Sequence, residues 1–510
     1  MLETDPIDDP QADRVTPRLS DATLPAARPG VERPGYDRTT LPVGIVDLGL
    51  GAFVRAHLAL YTEDLLASAP GPWGLAGVSL QRPDQRDRLA PQDGLYTTLL
   101  RDGDRTAARI VGCLRRTLVA PEDPAAVIAA MCGADTRIVS LTVTEKGYCH
   151  DPATGRLDLN HPDIRFDLEH PGTPRTAIGL LTAALAVRRR AGVPGFSVLC
   201  CDNLPHNGRL LAGLVRDFAA ASDDALAGWI EAEIAFPSTM VDRIVPAATA
   251  ADEAAAVALT GLTDAAPVSH EPFRQWVFED RFGPLGRPAW EQVGAEPVSD
   301  VAPYEHMKLR LLNGAHSALA YLGYLAGNET VPTAVADPAV RRYLGALWAE
   351  IIPVVPPPPG VDLHRYTAEL LARFANTAVQ HRTAQIANDG SQKLPQRLLA
   401  TVRERLGRGL PIPCLALAVA AWIRFVGGTD ERGAPIEVRD PLADTLRRAL
   451  DGAGAEARDR VTAVLRIEAV FGQDLGREPA FVDAVALAYA GLLQRGARAM
   501  LAAAGDRSGV

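Results

Sequence analysis

Short apolar runs alternate with stretches of helical period along the first part of the chain, and after about residue 300 only the helical pattern continues. Val43-Gly44-Ile45-Val46-Asp47-Leu48 is the first such run, followed by Gly74-Leu75-Ala76-Gly77-Val78-Ser79-Leu80, Arg137-Ile138-Val139-Ser140-Leu141-Thr142-Val143-Thr144 and Phe196-Ser197-Val198-Leu199-Cys200-Cys201. Between them lie amphipathic stretches such as residues 176–185. Buried strands separated by helices predict a mostly parallel sheet covered on both faces. Residues 309–325, 343–352, 367–374, 398–406 and 415–426 then read as successive helices, with the proline-rich 353–360 as a turn. The predicted architecture is an α/β, Rossmann-like N-terminal domain with a mostly parallel sheet, followed by a mainly α-helical C-terminal domain. Residues 1–40, rich in Asp, Pro, Thr and Arg, read as an extended arm and not as a targeting peptide.

Composition narrows the classes. The chain has 510 residues, 47% apolar and 22% charged, which excludes a largely disordered protein and gives room for two or three domains. A net charge of −10 runs against binding to nucleic-acid phosphates. No stretch reaches the roughly 18 apolar residues of a membrane helix. The six cysteines are scattered without metal-ligand spacing, and Cys200-Cys201 are adjacent, so no metal site and a reduced, cytoplasmic setting are expected.

The first strand runs into Gly49-Leu50-Gly51-Ala52-Phe53, a strand–turn–helix junction where a dinucleotide pyrophosphate could lie against backbone N–H groups. The third position of the usual glycine pattern is Val54, so the fingerprint is incomplete. After the second strand, Asp84 would receive the ribose hydroxyls of NAD, whereas Arg82 leaves a 2′-phosphate open. A plain solvated loop fits those residues equally well.

Most informative is the segment from Tyr304 to Ser317. At about 100° per residue from Lys308, Glu305 falls near 60°, His316 near 80° and Asn313 near 140°. Four polar groups share one side of a helix whose neighbours are apolar. A solvated face gives a similar pattern, but the chemistry suits alcohol oxidation. A half-buried lysine becomes a usable base, an amide donates to a forming alkoxide, and a histidine orients a hydroxyl. Asn203, after the fourth strand, reads either as a second amide or as a turn residue beside Asp202.

Together these segments resemble the polyol-specific long-chain dehydrogenases, the family of mannitol 2-dehydrogenases and mannonate oxidoreductases (fructuronate reductases). The carrying motifs are Gly49-Leu50-Gly51-Ala52-Phe53-Val54-Arg55-Ala56-His57, Cys201-Asp202-Asn203, Phe236-Pro237-Ser238-Thr239-Met240-Val241-Asp242-Arg243, and the Lys308, Asn313, His316 spacing. The resemblance runs from about residue 40 to the C-terminus. It implies a dinucleotide-binding domain over 41–300 and a helical substrate and catalytic domain over 301–510. It also implies Lys308 as general base, Asn203 and Asn313 as paired amides, His316 and Asp242 at the substrate, Glu305 passing the proton to solvent, and Asp84 selecting NAD. Val54 stands where the family has a histidine.

Within the family, Lys146 in Thr144-Glu145-Lys146-Gly147-Tyr148 and the segment His381-Arg382-Thr383-Ala384-Gln385-Ile386-Ala387-Asn388-Asp389-Gly390-Ser391-Gln392-Lys393 resemble the mannonate branch. A sugar acid needs its carboxylate paired, and Lys146, Arg310, Arg382 and Lys393 are the expected cations. The expectation is an NAD-dependent enzyme interconverting D-mannonate and D-fructuronate, with a small-molecule sugar acid or polyol as substrate and no nucleic-acid or membrane partner. The alternative is a mannitol (polyol) 2-dehydrogenase interconverting mannitol and fructose. A catalytically silent binding protein would bind cofactor or sugar without turning over NADH.

Overall fold

The computed structural model describes residues 16–151 and 154–505; the side chains of Glu145 and Lys146 lie outside what it describes. The chain divides into two compact units, one drawn from Met1–Arg101 and Arg105–Ser299, the other from Asp102–Asp104 and Asp300–Val510.

The first unit is built on five parallel strands, β1 (Val43–Leu48), β2 (Gly74–Ser79), β3 (Leu114–Val119), β4 (Ile138–Leu141) and β5 (Ser197–Cys200), in the spatial order β3-β2-β1-β4-β5. The order reverses at β1, which places a crevice beyond the carboxyl ends of β1 and β4. One face of the sheet buries Val46, Leu48, Val139 and Val198 against helices such as Ala177–Arg190; the other buries Ile45, Leu75, Ile138 and Leu199 with Trp276 and Trp290. Leu114–Val119 was not legible as a strand because it is an edge: Arg115 and Arg116 interrupt its apolar pattern, and its middle is only half-buried. Two three-stranded sheets and a two-stranded one, His150–Asp151 with Arg156–Leu157, also belong to the unit. Thr239–Asp242, Gln275–Glu279 and Glu296–Val298 form one of the three-stranded sheets; Val268–His270, Tyr96–Asp102 and Arg105–Val111 form the other.

The N-terminal segment, expected as an extended arm, is described from residue 16. It lies on this unit: Leu19 is fully buried with Leu95, Ile110 and Leu262, and the Leu19 N–H donates to the Thr263 carbonyl at 2.9 Å. Arg38 is buried as well, its Nε donating to the Gly112 carbonyl at 2.8 Å. Leu24, Ala27 and Val31 pack against the Leu19 cluster, and the Tyr36 hydroxyl donates to Glu63 at 2.7 Å.

The second unit is helical. Gly314–Leu325 and Pro413–Val426 are buried on nearly every side, as expected of helices at the centre of a core. Around them Tyr321, Tyr343, Trp422, Phe471 and Phe481 form one continuous cluster. The long helix Pro479–Gly505 bends at Gly496, whose φ of +76° suits glycine. Among the described residues no helix is long and apolar enough to cross a membrane.

Candidate active site

In the first unit the turn after β1 is fixed from three sides. The N–H groups of Gly49 and Leu50 donate to the Val78 carbonyl at 2.9 and 3.0 Å, and the Thr142 hydroxyl donates to the Gly49 carbonyl at 2.8 Å. Gly49 has φ +123°, and a Cβ there would lie 2.2 Å from the Thr142 carbonyl oxygen, so only glycine fits. Leu50 tucks under the turn because Gly77 on β2 leaves room; a Cβ on Gly77 would meet Leu50 Cδ1 at 2.5 Å. A Cβ on Gly51, in contrast, would meet nothing nearer than the Gly49 carbonyl at 3.6 Å. That open, glycine-lined backbone suits the close approach of a pyrophosphate. Ala52 and Phe53 begin the short helix Ala52–Ala56, and Val54 points into the core. Arg55 and His57 hold the turn to the rest of the unit: Arg55 Nη1 donates to the Ala266 carbonyl at 2.6 Å, and His57, stacked on Phe53, bonds through Nε2 to the Gln275 carbonyl at 3.0 Å.

Asp47, at the end of β1, accepts from Ser140 at 2.8 Å and from Thr142 at 3.4 Å. Burial, and secondarily the Asp202 carboxylate, raise it to about 7 against those hydrogen bonds. Asp202, also raised by burial, accepts from the Val143 and Thr144 N–H groups and from the Tyr148 hydroxyl at 2.6 Å. Asn203 follows it, exposed, beyond the carboxyl end of β5. The loop there is anchored by Asn207, which sequence reasoning passed over: its amide donates to the carbonyls of Asp202 and Thr239 at 3.0 and 2.9 Å. Asp242 is buried at the end of Thr239–Asp242, and Asp84 opens the helix Asp84–Leu89 on the surface.

In the helical unit, Ala302–Met307 continues into Lys308–Asn313 and then Gly314–Leu325, but the middle stretch is wound as a π-helix. Its signature is the Gly314 N–H donating to the Leu309 carbonyl, five residues back. This corrects the α-helical projection, in which Asn313 stood far round from Lys308; five residues in the wider turn return Asn313 towards Lys308. All four expected groups are buried: Glu305 is 5% exposed, Lys308 6%, Asn313 7% and His316 7%. A solvated helix face is thereby excluded. A second π turn, Pro395–Leu399, lies alongside, where Pro395 has no N–H to give an α-helical bond. Gly314 permits the approach, since a Cβ there would lie 2.9 Å from the Arg397 carbonyl oxygen.

His316 stacks on Phe374 at 4.5 Å between centroids and meets His381 edge-on at 5.5 Å. Its Nε2 is buried and has no hydrogen-bond partner among the described residues. Burial, then coupling to His381 and the charges of Arg397, Arg373 and Lys308, hold the ring well below the ordinary imidazole value. It is therefore neutral at pH 7, with one nitrogen left to bond a hydroxyl. Burial and Lys393 likewise lower His381 to about 4.

The expected carboxylate cations are placed differently. Arg310, two residues beyond Lys308, faces away and is taken up by Glu404, with Nη1 and Nη2 at 3.0 and 2.6 Å from its oxygens. Arg382 is exposed and paired with Glu329 at 2.9 Å. Lys393 stays near His381 and donates to the Asn388 carbonyl at 2.6 Å. Lys146 lies in the turn Glu145–Tyr148, with its side chain outside the described residues. The arginines that bear on His316 are Arg373 and Arg397. Arg397 stood four residues past the segment singled out in the sequence, and only the second π turn brings it near. Among the described residues no group of histidines, cysteines or carboxylates could hold a metal ion.

Two family models match nearly end to end, the Mannitol dehydrogenase Rossmann domain over residues 43–292 and the Mannitol dehydrogenase C-terminal domain over residues 300–493. Similar proteins include the uncharacterized oxidoreductase YdfI of Escherichia coli K12, 48% identical across 92% of this chain and 96% of that one. The D-mannonate oxidoreductase of the same organism is 46% identical across 95% and 99%. Among solved structures, Pseudomonas fluorescens mannitol 2-dehydrogenase in ternary complex with NAD and D-mannitol superposes with a TM-score of 0.87 at 38% identity, covering 95% of this chain and 98% of that one.

Proposed function

The chain belongs to the mannitol dehydrogenase family, and from that premise we propose an NAD-dependent oxidoreductase interconverting D-mannonate and D-fructuronate at a secondary alcohol. The observation that carries the reading is the π-wound segment bearing Lys308 and Asn313, followed directly by the helix bearing His316, with all three side chains buried. Lys308 takes the hydroxyl proton, Asn313 donates to the oxygen as its charge grows, and His316 bonds a neighbouring hydroxyl through Nε2. Glu305 passes the proton onward. Asn203 is assigned a second amide contact and Asp242 a substrate hydroxyl. NAD supplies the acceptor for the hydride leaving the alcohol carbon; Gly49, Leu50, Gly51, Ala52 and Phe53 hold its pyrophosphate and Asp84 its ribose.

For the uronate over the polyol, support comes from the 46% identity to a D-mannonate oxidoreductase and from Arg373 and Arg397 acting on His316. A guanidinium can pair a carboxylate through two charge-assisted bonds, which a CH₂OH group cannot match. The second reading, mannitol 2-dehydrogenase, is favoured by the 38% identical solved structure that holds D-mannitol. NADH oxidation measured with fructuronate, tagaturonate and fructose separates them. A kcat/KM for fructuronate at least about tenfold above that for fructose is expected, the scale of one charge-assisted hydrogen bond. Equal or better activity on fructose overturns the uronate.

A further inference from the structure

One aromatic side chain bonds the π turn directly and reaches His316 through a second ring. Trp348, on the helix Pro338–Ile351, is buried, and its indole Nε1 donates to the carbonyl of Leu311 at 3.0 Å. Leu311 lies in the middle of the π turn, between Lys308 and Asn313. The same indole lies over Phe374, centroids 6.5 Å apart and planes 24° apart, and Phe374 in turn lies flat against His316. From Trp348 the stack therefore runs through Phe374 to the histidine, while its N–H reaches the turn that carries the lysine and the amide.

A π turn is a wider, less favourable winding than the α-helix, and isolated ones persist where surrounding contacts hold them. The neighbouring turn Pro395–Leu399 supplies backbone close to Gly314 at one end. The indole N–H supplies a directed bond at the middle, where a carbonyl with two lone pairs can take a second donor.

We propose that Trp348 is a positioning residue for hydride transfer: by bonding the Leu311 carbonyl it holds Lys308–Asn313 in the π form that turns Asn313 towards Lys308, and through Phe374 it sets the plane of His316. The assignment rests on the functional reading of Lys308, Asn313 and His316 given above. Loss of the N–H lets the segment relax towards α-helical winding, which swings the base and the amide apart without removing either.

Trp348→Phe tests this in the full chain, since it keeps an aromatic ring near Phe374 and removes the donor along with part of the ring, a loss of packing that the melting temperature reads separately. With saturating cofactor, kcat is expected to fall about fivefold to tenfold, the range of one buried hydrogen bond, with KM for the sugar changed by less than about twofold. The limb of the kcat–pH profile set by the base should shift, because the surroundings of Lys308 change. Hydrogen–deuterium exchange should quicken in the peptide spanning residues 305–316 and not in that spanning 413–426. Unchanged kcat and exchange would overturn the proposal. So would a fall in kcat that tracks a lower melting temperature with an unshifted pH profile, which marks Trp348 as scaffolding alone. If the wild type turns over none of the three sugars, the functional reading fails, and the exchange measurement still decides whether the indole holds the turn.

Discussion

Lys308 carries its amine at a position only 6% exposed, where a charge is costly unless its surroundings use it. As the base, it should be worth the usual general acid–base factor. Lys308→Ala is expected to lower turnover by about 10²–10⁴ while NAD affinity, followed by titration, changes little. Near-normal turnover at neutral pH removes the assignment. Asp47 sits at the opposite extreme, a buried carboxylic acid raised from 3.8 to about 7. The folded form holds the proton more tightly than the unfolded one. Its contribution to stability is therefore full below about pH 4 and is lost as the pH rises through 7. Asp47→Asn mimics the protonated side chain. The variant should melt above the wild type at pH 8, by roughly 2–4 °C for each kcal/mol recovered, and the gain should vanish near pH 4. An equal difference at both pH values contradicts the raised acid.

At the scale of elements, the strands β1, β2, β4 and β5 and the buried central helices were legible because uninterrupted apolar runs and sustained period leave few alternatives. Lys308, Asn313 and His316 were legible as a set because polar groups on an otherwise apolar segment stand out. The winding that joins them was not. Nothing in Lys308-Leu309-Arg310-Leu311-Leu312-Asn313 differs from an ordinary helix former, and the π turn is held by residues far along the chain, Trp348 and the Pro395–Leu399 turn among them. For the same reason Arg310 looked available until Glu404, 94 residues away, was seen to hold it. Consequently Arg310→Ala should lower the melting temperature, having left Glu404 unpaired, but leave the fructuronate-to-fructose ratio within about twofold. Arg397→Gln should reduce that ratio by about tenfold or more. The opposite ranking in paired kcat/KM measurements would return Arg310 to the substrate.

For the molecule as a whole, a net charge of −10 repels an anionic sugar, so any preference for a uronate has to arise within a Debye length of local cations. Raising NaCl from about 10 mM to 500 mM should therefore raise KM for fructuronate severalfold and leave KM for fructose nearly unchanged. Parallel responses would place the specificity elsewhere. Cofactor choice follows the same logic at Asp84: a carboxylate repels a 2′-phosphate, so NADH should outperform NADPH, and Asp84→Ala should narrow the gap. A wild type that prefers NADPH would show that Arg82 governs the loop.

The wide turn at Lys308–Asn313 also makes chain length part of the chemistry. A π turn is equivalent to an α-helix that has absorbed one additional residue without passing the rotation on to its neighbours. Deleting any one of residues 309–312 would restore ordinary winding and leave Lys308 and Asn313 four residues apart, about 40° round the helix and still on one side. Adding one would instead turn Lys308 by about 100°, leaving it near its old depth yet pointing elsewhere. Every substitution across those four positions can be judged by the side chain it brings. A gain in their number cannot, because it changes no functional group and still dismantles the arrangement.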